Sequence, residues 1–246
     1  MNNLSERQKT ILEKIIEEFV ASAEPVSSQG LFQKHDFDVC PATLRIEMEK
    51  LSEQGFLEQP FVSSGRIPTD KAYRFWVDEL LDEGGIVSQK RFGQSFDNGM
   101  TDSLSFFHAL TKEVAELTCG LAVSYLPGKE LLLKEGWGRV VKLPEFNNTE
   151  RLSSFVETIE QWEQGVLSQA QLPEELEIWI GRENPFPQAQ DFSRLTSQFF
   201  FDGQMQGILA IFGPKRMDYS KNIRVLQSLS KKVKNNGTRN KTKSGK

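Results

Sequence analysis

Two short stretches hold the side chains best suited to chemistry: "CPATLRIEMEK", residues 40–50, and "FVSSGRIPTDKAYR", residues 61–74. In the first, Leu44, Met48 and Leu51 recur at helical spacing as an inward stripe, which turns Ala42, Thr43, Arg45, Ile46, Glu49 and Lys50 outward. An outward arginine can grip a guanine edge with two hydrogen bonds, Thr43 can donate to a phosphate or a base, and Ile46 can touch a thymine methyl. In the second, Ser63, Ser64 and Gly65 are small enough for a phosphate backbone to come close. Arg66 can then reach a phosphate or the minor groove. Lys71 and Arg74 offer further backbone contacts, and Ser28, further upstream, completes the candidate DNA-binding set. This is recognition chemistry, not bond-breaking chemistry.

The rest of the chain agrees. No Ser-His-Asp, Cys-His or P-loop arrangement occurs, so no enzyme and no cofactor are expected. His35 and His108 stand alone and read as surface or packing residues, and two cysteines without a CxxC spacing make neither a zinc site nor a disulfide framework. Cysteine usage favours a reducing, cytoplasmic setting. The polar opening "MNNLSERQKT" predicts no secretory signal, and no apolar run approaches the ~18 residues a membrane span needs.

The elements that must position these residues can be read on either side of them. "LSERQKTILEKIIEEFV" starts with Ser5 and Gln8 at capping-box spacing and continues as one apolar stripe, Ile11, Leu12, Ile15, Ile16, Phe19 and Val20. Pro25 closes that region, and Ser27 or Ser28 can cap a short second helix through Leu31 and Phe32. Pro41 suits the first position of a third helix, which Gly55 ends. "FLEQ" predicts a strand, "PFVSSG" a loop and "RIPT" the return strand. Three helices followed by a hairpin is the order of a winged helix-turn-helix, with the third helix as reader and residues around Gly65-Arg66 as wing.

Charge argues the other way. Residues 1–81 carry nine Lys and Arg against fourteen Asp and Glu, a net of −5, so DNA binding has to come from local positive patches. The same elements with that charge also fit a protein–protein module. The last sixteen residues carry seven positive charges and no negative ones. They read as a solvated tail, or as an arm adding sequence-independent DNA affinity.

Four segments result: a winged-helix domain over 1–81, a linker over 82–102, a second domain over 103–232 and a disordered basic tail over 233–246. The second domain runs helix, strand, turn at Pro127-Gly128, one or two strands to about Leu143, and then an amphipathic helix bearing Leu152, Phe155, Val156, Ile159, Trp162 and Val166. Strands "LEIWIG", "RLTSQFFF" and "MQGILAIFG" follow, the last two joined at Asp202-Gly203, and a helix runs from about Tyr219 to Val233 with Asp218 placed to cap it. That pattern predicts an α+β fold, the second domain a GAF-like sandwich. Arg182, Glu183, Arg216 and Asp218 read as fixing turns and helix starts, with a ligand clamp as the alternative. Phe199-Phe200-Phe201 reads as a buried strand with one ring turned toward a partner subunit.

"EPVSSQGL", "CPATLRIEMEKLSEQGFLEQP" and "SSGRIPTDKAYRFWVDELL", with "WIGRENPF" and "GILAIFGPKRMDYSKNI" downstream, resemble the bacterial heat-inducible transcription repressor family HrcA. The resemblance implies a homodimeric repressor that binds an inverted-repeat, double-stranded DNA operator ahead of chaperone genes, with a GroEL-type chaperonin promoting the DNA-binding form. This sequence departs from the pattern in places. Cys40 replaces the family's N-cap serine, Ile46-Glu47 its Asn-Asp pair, and Phe61-Val62-Ser63-Ser64 its His-Thr-Ser-Ala. Typical members also carry an inserted dimerisation segment, for which residues 133–150 leave no room. Two other readings remain open: a winged-helix regulator whose second domain senses a small ligand, and an interaction module that no longer reads DNA.

Overall fold

A computed structural model describes residues 4–82, 103–168, 176–201 and 205–228. The expected linker, the Asp202-Gly203 turn, the end of the last helix and the basic tail lie outside these residues. The chain divides into two compact units, residues 1–82 with Lys215–Asp218, and residues 83–214 with 219–246.

In the first unit, helix α1 (Glu6–Ser22) begins as its sequence requires. Gln8 N donates to Ser5 Oγ at 3.3 Å, and Ser5 N donates to Gln8 Oε1 at 3.1 Å, so two of the backbone N–H groups orphaned at the helix start are satisfied reciprocally. Ile11, Leu12, Ile15 and Ile16 are buried, and Ala23 ends the helix in the left-handed region. Helix α2 (Ser28–Lys34) is capped by Ser27, whose Oγ accepts from Gly30 N at 3.0 Å. Helix α3 (Pro41–Glu53) has Pro41 in its first turn and buries Leu44, Met48 and Leu51. The hairpin is shorter than expected, β1 (Leu57–Glu58) pairing antiparallel with β2 (Ile67–Pro68). Pro60, with no N–H to donate, stands just beyond the short β1. Helix α4 (Asp70–Asp82) follows, its entry fixed by Thr69, whose Oγ1 donates to the Gly55 carbonyl at 2.7 Å. Lys215 Nζ, grouped with this unit, lies 2.7 Å from Asp70 Oδ1, and Arg216 donates to the Val20 carbonyl at 2.8 Å.

The second unit is built on a five-stranded antiparallel sheet in the order β4-β3-β7-β6-β5. Its strands are β3 (Leu121–Leu126), β4 (Leu131–Glu135), β5 (Glu177–Ile180), β6 (Phe192–Phe201) and β7 (Met205–Pro214). Helix α5 (Ser103–Thr118) lies on one face, where Thr111 Oγ1 meets Ser124 Oγ at 2.6 Å and Phe107 meets Phe199. On that face Ser193 Oγ and Tyr219 Oη, in a final helix α8 over 219–228, are 2.7 Å apart. The other face carries α6 (Trp137–Val140) and α7 (Thr149–Ser168). There Leu121, Val123, Tyr125, Ile208, Ala210 and Phe212 form one core with Phe155, Ile159, Trp162 and Val166 of α7. A single strand follows the Pro127-Gly128 turn. Gly136, at φ 109°, turns the chain into α6, and a Cβ there would stand 2.4 Å from the Gly120 carbonyl oxygen.

Candidate nucleic-acid interface

Helix α3 is held by its buried side. Gln8 Nε2 donates to Glu47 Oε2 at 3.1 Å in a buried seam between α1 and α3, and Lys50 Nζ reaches Glu47 Oε1 at 3.0 Å. With Leu44, Glu47, Met48 and Leu51 inward, the helix turns Ala42, Arg45, Ile46, Glu49 and Lys50 to solvent, with Thr43 half-buried at its first turn. Ile46 is 53% exposed, an apolar side chain set among the polar and charged residues of the outer side.

The wing tip is a self-braced loop. Phe61 N donates to Ser64 Oγ at 3.3 Å, the Ser64 hydroxyl lies 2.8 Å from the Phe61 carbonyl and 3.0 Å from that of Gly65, and Gln59 Nε2 donates to the Ser64 carbonyl at 3.0 Å. Ser63 occupies the left-handed region at φ 75°, and its hydroxyl donates to the Val62 carbonyl. These contacts project Phe61 and Val62 into solvent, Val62 at 94% exposure. Behind the tip, Arg66 N donates to the Val26 carbonyl at 2.8 Å and Val26 N returns the bond at 2.9 Å. This isolated bridge gives the hairpin a third partner that no local sequence signal announces.

Several expected site residues also make contacts within the protein. A Cβ at Gly65 would lie 2.5 Å from the Val26 carbonyl carbon and oxygen, so this glycine makes room for the chain's own backbone. The Ser64 hydroxyl is committed to the loop. Lys71 Nζ donates to the Gln54 carbonyl at 2.7 Å and sits 4.4 Å from the Phe56 ring centroid, which ties α4 to the end of α3. Arg74 faces Asp78 at 3.5 Å on its own helix. Ser28 stands half-buried beside the capping Ser27. The Arg66 backbone is fixed while its side chain, half-exposed, has no hydrogen bond or ion pair among the described residues.

Cys40 precedes α3 and is exposed. Its thiol, 3.4 Å from Thr43 Oγ1, is held below the usual thiol range, first by that hydroxyl and then by the backbone N–H groups of Thr43 and Ala42. At the other end of the head, the Glu18 carboxylate meets Lys34 and, at 2.9 Å, His35 Nε2, joining α1 to α2. The Lys34 hydrogen bond does most to lower its pKa, with burial opposing and His35 adding to the effect.

Among the residues set aside as turn-fixing or ligand clamp, Glu183 Oε2 accepts from Ile180 N at 2.8 Å. Asn184, which the sequence reading passed over, is buried and donates through Nδ2 to the carbonyls of Gly181, Phe192 and Ala189 at 2.8, 3.1 and 3.3 Å. Its place directly after Glu183 in "GRENPF" was the available signal. Among the described residues no group of His, Cys, Asp and Glu is arranged to hold a metal ion. No described helix is long and apolar enough to cross a membrane.

Comparison with known proteins adds four findings. Residues 89–223 match the family model described as the HrcA protein C terminal domain. Over an alignment of 335 positions the chain is 26% identical to a heat-inducible transcription repressor HrcA of Alkaliphilus metalliredigens, covering 94% of this chain and 97% of that protein. The chain itself has 246 residues, so the relative holds stretches with no counterpart here. A protein of the same name from Acetivibrio thermocellus is 37% identical over 131 residues, 52% of this chain and 37% of that one. A crystal structure described as that of a hypothetical protein at 2.2 Å superposes with a TM-score of 0.81 at 20% identity, covering 96% of this chain and 99% of that one, and shares its fold.

Proposed function

The chain belongs to the HrcA family, and from that premise we propose that it is a heat-inducible transcription repressor whose first unit is a winged-helix head for an inverted-repeat operator. The observation that carries this reading is the division of α3. Its inner side is fixed to α1 by the Gln8–Glu47 bond and its leucine stripe, while Ala42, Arg45, Ile46, Glu49 and Lys50 project from the other side.

A helix held from behind and bare in front can enter the major groove. Arg45 suits a guanine edge, and Ile46 a thymine methyl. The wing then lies along the backbone, with Arg66 as its phosphate or minor-groove contact. Ser63, Ser64, Gly65 and Lys71 complete this surface: their internal contacts fix the wing and the start of α4, while Lys71, exposed and with two ammonium hydrogens beyond its bond to Gln54, can still reach a phosphate. The second unit, whose strand order with helices on both faces suits a GAF-like domain, serves dimerisation and control. The two heads of a homodimer would meet the two half-sites, and a GroEL-type chaperonin would promote the binding form. The segment between β4 and α7, a short helix and a turn, leaves dimerisation to surfaces other than the insertion typical of the family.

Fluorescence anisotropy with a labelled inverted-repeat operator of the family type, against a scrambled duplex at one near-physiological salt, tests this. A preference of ~1,000-fold or more is expected. Equal, weak and salt-sensitive binding to both duplexes, with no preferred sequence emerging from a random library, would remove the DNA-reading role.

A further inference from the structure

The sheet face that carries α7 changes character toward its edge. On β3 and β7 it is lined by aliphatic and aromatic side chains, but on β6 and the edge strand β5 the facing pairs are Arg194 with Trp179 and Thr196 with the exposed Glu177. Arg194 pairs across the sheet with Trp179 on one side and Phe212 on the other, with Phe192 and Thr196 on the same face of its own strand. Its guanidinium carbon lies 5.5 Å from the Trp179 ring centroid.

Two polar groups here lack partners. Arg194 Nε is closed to solvent and makes no hydrogen bond, and among the described residues no carboxylate pairs with the guanidinium. Burial pushes the Arg194 pKa down, with Glu177 on β5 opposing. Thr196 is 2% exposed, and its Oγ1 is also without a partner. Neutral and ionised groups withdrawn from water ordinarily find partners, because leaving them bare costs free energy that nothing returns. A guanidinium Nε and a hydroxyl without acceptors, two residues apart on one face, therefore describe a site waiting for an acceptor. Both Arg194 and Trp179 keep part of their surface open, and β5 ends the sheet, so entry lies along that edge.

We infer that Arg194, Thr196 and Trp179 form a binding site for a small planar carboxylate, with the carboxylate on the Arg194 fork and Thr196 hydroxyl and the flat body against Trp179. A carboxylate matches the planar fork bidentately, which a spherical anion does not. An indole face favours a flat, aromatic ligand body. This inference concerns the second unit alone and stands apart from the DNA-binding reading.

The test is titration of the full chain with benzoate, benzamide and phosphate, followed by calorimetry and tryptophan fluorescence. Benzoate is expected to bind saturably, with benzamide and phosphate each ~10-fold weaker or worse for lack of a charged, planar acceptor. Arg194→Gln should abolish the benzoate response, Arg194→Lys should retain part of it, and Thr196→Val should weaken it with the fold intact by circular dichroism. No saturable benzoate response, unchanged benzoate affinity in Arg194→Gln, or phosphate binding as tightly as benzoate would each overturn the inference.

Discussion

Gln8 Nε2 donates to Glu47 Oε2 at 3.1 Å while Gln8 Oε1 accepts from Ser5 N, so one side chain both starts α1 and fixes the roll of α3. The outward residues of α3 face solvent because this bond and the apolar stripe decide which side faces in. Gln8→Ala removes the second half of the capping box and leaves a buried carboxylate with only Lys50. It should destabilise the head by about 1–3 kcal/mol, read from urea unfolding. A change below ~0.5 kcal/mol would mean that the leucine stripe alone orients the helix.

Gly65→Ala tests the wing from the protein side. The new methyl would meet the Val26 carbonyl at 2.5 Å, so the Val26–Arg66 bridge has to open. A loss of roughly 2 kcal/mol or more is expected, with faster amide exchange at Arg66 and Val26. Gly128→Ala, in open space, should be close to neutral.

DNA affinity should separate the cations. Arg45→Ala should cost about 1–3 kcal/mol on the operator and relax specificity at one base pair, whereas Arg66→Ala should weaken all duplexes and lower the salt slope by about 1. Lys71→Ala should instead lower the melting temperature, because its ammonium is bound to the Gln54 carbonyl and lies over Phe56. A salt slope changed by Lys71→Ala at constant stability would mark that lysine as a phosphate contact.

Cys40 should react with iodoacetamide at lower pH than an ordinary thiol, since Thr43 and the first N–H groups of α3 favour its thiolate. Thr43→Val should move the pH midpoint of alkylation upward. Cys40→Ser should raise the melting temperature of the head, serine being the better N-cap acceptor.

Glu18 makes the α1–α2 corner acid-sensitive. Its folded pKa is depressed, so its contribution is complete above the unfolded carboxylate value and is lost as pH falls through the folded one. The melting-temperature difference between wild type and Glu18→Gln should hold near neutral pH and shrink below about pH 4.5. A difference constant down to strongly acid pH would show that the Lys34 and His35 contacts add nothing.

The sequence by itself determined the order of elements in the head and the inward and outward sides of α3. Helical spacing of Leu44, Met48 and Leu51, the Ser5–Gln8 box and Pro41 are local signals whose physics acts within one or two turns. Strands β3, β5, β6 and β7 and the turn after β3 were legible as well, whereas the number of strands after that turn stayed open and helix α6 carried no signal. What only the tertiary structure decided depends on contacts far apart in the chain. Val26 meets Arg66 across forty residues, Lys71 turns back to Gln54, and Glu47 is buried because Gln8 lies opposite. The small neighbours of Gly65 in sequence announce open space around it, but not the chain that fills part of that space. The atoms that need the space belong to Pro25 and Val26, and no periodicity or spacing brings them there.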